Sequence, residues 1–234
     1  WWRERVYACG WFGARVAPGR VWAILYPHQG PLYNKLLMLI LSLAPHADAR
    51  TVEWAFARME GGQLVHQGRA SAAQLAQENQ LAMAIVPAQR LSWHEVTLPP
   101  NSHGARLPRV LQGLLEDSLL EDPASLHLVP APNAPAIARA GGALCVAVCD
   151  PSWLRTALAP LQAAGIRLQG LLPELSPGPS ALYLMGSEPE PQVWWTHAGG
   201  VLALPGQPHD WRAFGVRDDT PIYADAAHLR WAQA

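Results

Sequence analysis

The chain has 234 residues, half of them apolar, with 17 basic against 18 acidic side chains and a formal net charge of −1. That length buries a real core, as one large domain or two small ones, and the charge balance excludes the surplus of Lys and Arg with which nucleic-acid binders displace phosphate counterions. Only 15% of residues are charged while Gly and Pro number 19 and 22, yet apolar content this high offsets chain entropy and excludes a disordered chain.

Residues 1 to 37 carry Gly and Pro punctuation and several tryptophans but sustain no helical or strand period, so they are set apart as an unassigned segment, an upstream extension or a fragment artefact. Four scattered arginines and the lack of a continuous apolar core argue against a secretory signal there. The longest apolar stretch, Leu36 to Ala44, is far short of the roughly 20 residues that span a bilayer. A cytosolic setting is the expectation.

Met38 to Leu43 opens the first strand; Thr51 to Arg58 alternates Val52, Trp54 and Phe56 with polar or small neighbours, and Leu64 to Gly68 returns after a Gly61-Gly62 turn. Ala72 to Gln77 is a short helix. Leu81 to Val86 and Leu91 to Leu98 complete a mixed sheet of about five strands. Leu107, Val110, Leu111, Leu114, Leu115 and Leu119 then recur at spacings of three and four, a leucine-faced helix with Pro108 in its first turn and Pro123 beyond its end. A strand at Leu126 to Val129 leads into Pro130 to Gly142, rich in Pro, Ala and Gly, which reads as the joint between two units.

The second unit starts with a buried strand, Leu144 to Cys149. Asp150 is placed to cap a helix with Pro151 at its first position, Leu154, Leu158 and Leu161 on one face, and Gly165 at its end. Extended chain from Ile166 to Leu172 makes this a βαβ unit with parallel pairing. Ala181 to Met185, Gln192 to Thr196 and Val201 to Leu204 are strands, the last two a hairpin around His197-Ala198-Gly199-Gly200; Pro221 to Ala224 is a further strand and a helix begins near Asp225. The expected domains are therefore 38–132 and 143–234, the second incomplete because the chain ends inside that helix.

Sequence motifs for chemistry are few. No G-x-x-x-x-G-K-[ST], G-x-G-x-x-G or G-x-S-x-G is present, which removes the motif case for phosphate cradles and hydrolase nucleophiles. Cys145 and Cys149, with three residues between them on a strand, and Cys9 read as reduced thiols rather than zinc ligands or disulfides. The nine histidines never fall at H-x-x-x-H spacing. Glu116, Asp117, Glu121 and Asp122 gather where the helix dipole disfavours negative charge; they read as a solvated face, a protein-docking surface, or an acid–base pair. Trp194 and Trp195 alternate on a strand, so one points away from the core, as a contact anchor, packed under a loop, or packed against the missing C-terminal part.

Three stretches together resemble the cytoplasmic domain of the type II secretion system protein L family, also called general secretion pathway protein L. They are Ile85-Val86-Pro87 continuing to Trp93-His94-Glu95-Val96-Thr97-Leu98-Pro99; Leu107-Pro108 through Leu114-Leu115-Glu116-Asp117-Ser118-Leu119 to Leu126-His127-Leu128; and Val146-Ala147-Val148 through Ala164-Gly165-Ile166 to Leu171-Leu172-Pro173-Glu174. The resemblance covers roughly residues 38 to 234 and implies an α/β (α+β) fold of the divergent actin-like kind, two RNase H-like subdomains with mixed sheets and flanking helices. It also implies a non-catalytic scaffold at the cytoplasmic face of the inner membrane, recruiting the secretion ATPase (the E protein) through its N-terminal region. The inner-membrane components F and M and a second copy in a homodimer are the further partners implied, and a full-length protein would continue into a transmembrane helix and a periplasmic domain.

Actin-like nucleotide sites place Asp-x-Gly after the first strand and an Asp-containing glycine turn in the other half, where carboxylates position Mg²⁺ and water. The first strand here ends Leu43-Ala44-Pro45-His46, and Thr196-His197-Ala198-Gly199-Gly200 reads as the second turn, so neither carboxylate is expected and no cofactor follows. The alternative reading is an actin-like protein of a pilus-assembly or division system that still uses nucleotide.

Overall fold

A computed structural model describes residues 37–46, 53–60, 63–77, 81–185, 192–205 and 208–224. The reading of residues 1 to 36, the Gly61-Gly62 turn and the helix from Asp225 lies outside the described residues.

Five strands form the first sheet, in the order β3-β2-β1-β4-β8: β1 (Leu37–Ser42), β2 (Trp54–Glu60), β3 (Gln63–Ala70), β4 (Leu81–Val86) and β8 (Leu168–Pro173). β1 pairs antiparallel with β2 and parallel with β4, β2 pairs antiparallel with β3, and β4 pairs parallel with β8. The apolar alternation of β1 and β2 puts Leu39, Leu41, Trp54 and Phe56 on one face, against α1 (Ala72–Ala76) and α4 (Pro151–Ala163). Five strands were expected here, but the fifth is β8. β5 (Ser92–Leu98) leaves this sheet for another, because an alternating run identifies a strand without identifying its partner.

β5, β7 (Gly142–Cys149) and β6 (His127–Pro130) make a three-stranded antiparallel sheet with β7 central. Val96, Leu98, Leu144, Val146 and Val148 face Leu111 and Leu115 of α2 (Leu107–Leu115) and Ala134 and Ala138 of α3 (Ala134–Ala140). α3 is a correction to the expected loop at 130–142. Its alanines propagate a helix once Pro135 sits in the first turn, and Gly141, at φ 83°, closes it by donating its N–H to the Ile137 carbonyl.

The expected βαβ unit is also corrected. α4 does run between β7 and β8, capped as foreseen by Asp150 accepting from the Ser152 N–H at 2.7 Å and followed by Gly165 at φ 82°. Yet β7 and β8 lie in different sheets. By pairing, β8 joins the first sheet beside β4 and β7 joins β5 and β6, and the next strand is β9 (Ala181–Met185).

A third sheet follows in the order β11-β10-β9-β12, from β9, β10 (Gln192–His197), β11 (Gly200–Leu204) and β12 (Ile222–Ala224). β9 pairs antiparallel with β10 and parallel with β12, and β10 pairs antiparallel with β11. Order and directions repeat those of β3-β2-β1-β4. The chain therefore contains two units of one plan, the first carrying β5 to α3 and β7 as an insertion between β4 and β8.

Candidate functional site

Two places are candidates: the acidic turn after α2 and the crevice at the carboxyl ends of the parallel strands, where open α/β sheets receive ligands. α2 ends at Leu115, four residues before the last leucine of the foreseen stripe, and a 3-10 turn, Glu116–Ser118, replaces its final turn. Leu115 is fully buried and Leu119 packs on the same core, which anchors the turn from beneath. Glu116, Asp117, Glu121 and Asp122 are all exposed. Asp122 accepts from the Ala124 N–H at 2.8 Å and caps the next turn, Pro123–Ser125. Between the two acidic pairs, Leu120 projects fully into solvent, and Leu114 on α2 is also exposed. The arrangement offers negative charge on either side of an apolar side chain.

At the crevice, β1 runs out into Pro45-His46 and β4 into the turn Ala88–Arg90, with the first helical turn of α4 alongside. The Pro45 carbonyl accepts from Arg90 Nε at 2.6 Å and from the Trp153 indole N–H at 3.1 Å, while the Arg90 guanidinium stands over the Trp153 ring, 5.4 Å from its centroid. The α4 N-terminus is satisfied by the chain's own Asp150 carboxylate. Sequence reasoning missed Arg90 and Trp153, since no motif marks a carbonyl held from two other elements.

Trp194 and Trp195 are both buried, on opposite faces of β10. Trp195 joins Leu182, Leu184, Val193, Leu204, Trp211 and Val216, and its indole N–H donates to Ser180 Oγ at 2.9 Å. Trp194, on the opposite face of β10, packs with Ala88, Leu175, Met185 and Val201. Both faces of this sheet are covered, the second by residues of the turn after β4 and the segment after β8. Trp194 is thereby an anchor of the joint between the two units rather than an accessible contact.

The His197 hairpin also changes place. It joins the second and third strands of its unit; the connection equivalent to β1–β2 is residues 186–191, outside the described residues, with the sequence Gly186-Ser187-Glu188-Pro189-Glu190-Pro191. The expected lack of a carboxylate at the second turn was thus read from the wrong connection. At the hairpin itself, His197 Nδ1 accepts from the Gly199 N–H at 3.2 Å and the ring lies 4.4 Å from that of Trp195.

On β7, Cys145 is half-buried and Cys149 buried, both as free thiols. Burial, then the Glu95 carboxylate, pushes the Cys145 thiol up to about 11; burial and Asp150 raise Cys149 as well. Burial lowers His94, whose Nε2 lies 3.0 Å from Ser92 Oγ.

With this geometry in place, comparison with known proteins is decisive. The family model for the type II secretion system (T2SS), protein L, matches residues 39–180. The chain belongs to the type II secretion protein L family. No curated protein matches the sequence. Among solved structures, the cytoplasmic domain of EpsL, an inner membrane component of the type II secretion system of Vibrio cholerae, superposes with a TM-score of 0.57 at 19% identity, over 80% of this chain and 81% of that one. A PilM-PilN type IV pilus biogenesis complex gives a TM-score of 0.44 at 13% identity over 77% and 66% of the two chains. A Bacteroides thetaiotaomicron protein with an actin-like ATPase fold gives 0.40 at 9% identity over 86% of each. This chain is a type II secretion component with a mixed α/β fold of doubled sheet plan. No helix among the described residues is long and apolar enough to cross a membrane.

Proposed function

We propose that this chain is a non-catalytic scaffold that recruits the secretion ATPase, through the ATPase's N-terminal region, to the inner-membrane platform of the type II secretion system. Membership of the protein L family carries the reading. The likeness to a cytoplasmic domain of an inner membrane component supports placement at the cytoplasmic face, where components F and M and a second copy of the chain are the further partners. Just past β1, the Pro45 carbonyl is engaged by Arg90 and Trp153 of the chain itself.

For docking, the acidic turn is the accessible surface of the residues singled out by sequence. Glu116, Asp117, Glu121 and Asp122 surround an exposed leucine, a combination suited to a basic segment with one apolar side chain. Trp194 and Trp195, buried within the fold, support docking only by holding its shape. The test is capture of the ATPase N-terminal region by the purified chain. Reversing the four carboxylates to lysine is expected to lower affinity at least tenfold and to weaken its salt dependence, with Leu120→Ala lowering it further. Unchanged capture by the reversed chain removes the acidic turn from the interface, no capture by the unaltered chain removes ATPase recruitment, and turnover of MgATP by the chain alone removes the non-catalytic reading.

A further inference from the structure

α2 and the 3-10 turn that continues it carry one solvent-facing stripe. Leu111 and Leu115 are buried against the three-stranded sheet, and on the other side Arg106, Arg109, Gly113 and Asp117 follow at spacings of three and four, all exposed. Charge on this stripe runs against the helix dipole at both ends. Arg106 stands at the N-cap and Arg109 in a first turn that carries no acidic residue, while Glu116 and Asp117 follow a last turn that carries no basic one. None of these four side chains forms an ion pair with another described residue. Gly113, midway, is a third local cost: glycine weakens a helix interior, and an added Cβ would meet nothing within 4 Å, so packing inside the chain does not require it.

We propose that the exposed face of α2 binds α2 of a second copy of this chain, antiparallel about a two-fold axis at Gly113. Arg109 and Asp117 each lie four residues from that centre, so Arg109 of either copy stands opposite Asp117 of the other, and Arg106 falls opposite the Leu120–Glu121 turn. Each helix N-terminus then receives the other copy's carboxylate and each C-terminus its guanidinium, which reverses both dipole costs. Glycine at the crossing lets the two backbones approach, with the exposed Leu114 beside it. A single helix pair makes a small interface, in the class below roughly 1,200 Å² that parts readily, so the dimer responds to concentration and salt. This inference rests on the second-copy part of the reading above and not on ATPase recruitment; a basic ATPase segment on the acidic turn would bind in competition with it.

The experiment is sedimentation equilibrium of the 234-residue chain over a range of concentrations, unaltered and as Arg109→Asp, Asp117→Arg and Gly113→Gln. Each charge variant sets like charges opposite each other in its own dimer, whereas a mixed dimer of the two restores both pairs. Expected are self-association of the unaltered chain that weakens with salt, about tenfold weaker association of each charge variant alone, and recovery in their equimolar mixture. Gly113→Gln should raise the midpoint of urea unfolding, because it favours the helix, and yet weaken association. Charge variants that associate like the unaltered chain, or a mixture no better than its components, overturn this surface and send the second copy elsewhere. A chain that is monomeric at every concentration overturns the second copy altogether. ATPase capture is read separately: a self-associating chain that captures no ATPase tells against recruitment and leaves this pairing standing.

Discussion

Among single residues, Cys145 gives the sharpest chemical expectation. Its thiol is raised from an ordinary 9.0 to about 11, by burial first and by the Glu95 carboxylate second. Only the thiolate attacks an alkylating reagent, so at pH 8 Cys145 should react about 100-fold more slowly than an unburied thiol. The rate is read by mass spectrometry of the native chain, and Glu95→Gln should recover a minor part of it, since the carboxylate is the lesser cause. The sign for stability follows. The unfolded thiol ionises first, so the stabilising contribution is whole below about pH 9 and is lost as pH rises towards 11. Trp194 belongs to the same scale. Adjacent tryptophans on a strand do point to opposite faces, as alternation requires, but alternation does not say that a face is open. Here the face carrying Trp194 is closed by Ala88 and Leu175 from the other unit.

The two ends of α4 were legible because their signals, Asp150 and Gly165, are local. Ser71 and Gln74 exchange bonds as a capping box, with the Gln74 N–H donating to Ser71 Oγ at 3.3 Å and the Ser71 N–H to Gln74 Oε1 at 2.9 Å. Asp150 caps α4 alone. Ser71→Ala and Asp150→Ala should each cost about 1 kcal/mol in urea unfolding, and Asp150→Asn should retain most of the stability because the amide oxygen still accepts. Gly141 should respond more strongly. At φ 83°, and with an added Cβ meeting the Pro100 ring at 3.1 Å, Gly141→Ala strains the end of α3 and the turn at Pro100 together. Its cost should exceed about 1 kcal/mol in the same measurement. The extent of α2 was less legible: Leu119 sits at helical spacing, but after Leu115 the chain tightens into a 3-10 turn while Leu119 still reaches the core.

At the scale of the whole molecule, two sheets of one plan meet through Trp194, with Gln89 donating to Gln192 across the same joint. Trp194→Ala removes the largest side chain of that cluster and should cost about 3–5 kcal/mol, measured by thermal or urea unfolding. If the loss stays within the surface range of about 0.5 kcal/mol, the units do not depend on this contact. The amino-acid sequence by itself determined where the strands and every α-helix but α3 form, how α4 begins, and the family, because propensity, periodicity, capping chemistry and short motifs are properties of neighbouring residues. Only the tertiary structure decided which strands pair: β5 and β8 exchange the sheets foreseen for them, and the true counterpart of the β1–β2 connection lies at 186–191 rather than at the glycine hairpin. It alone also brought Pro45, Arg90 and Trp153 together. Pairing and convergence are settled by the burial of faces contributed by segments far apart in the chain, and no local pattern encodes the partner.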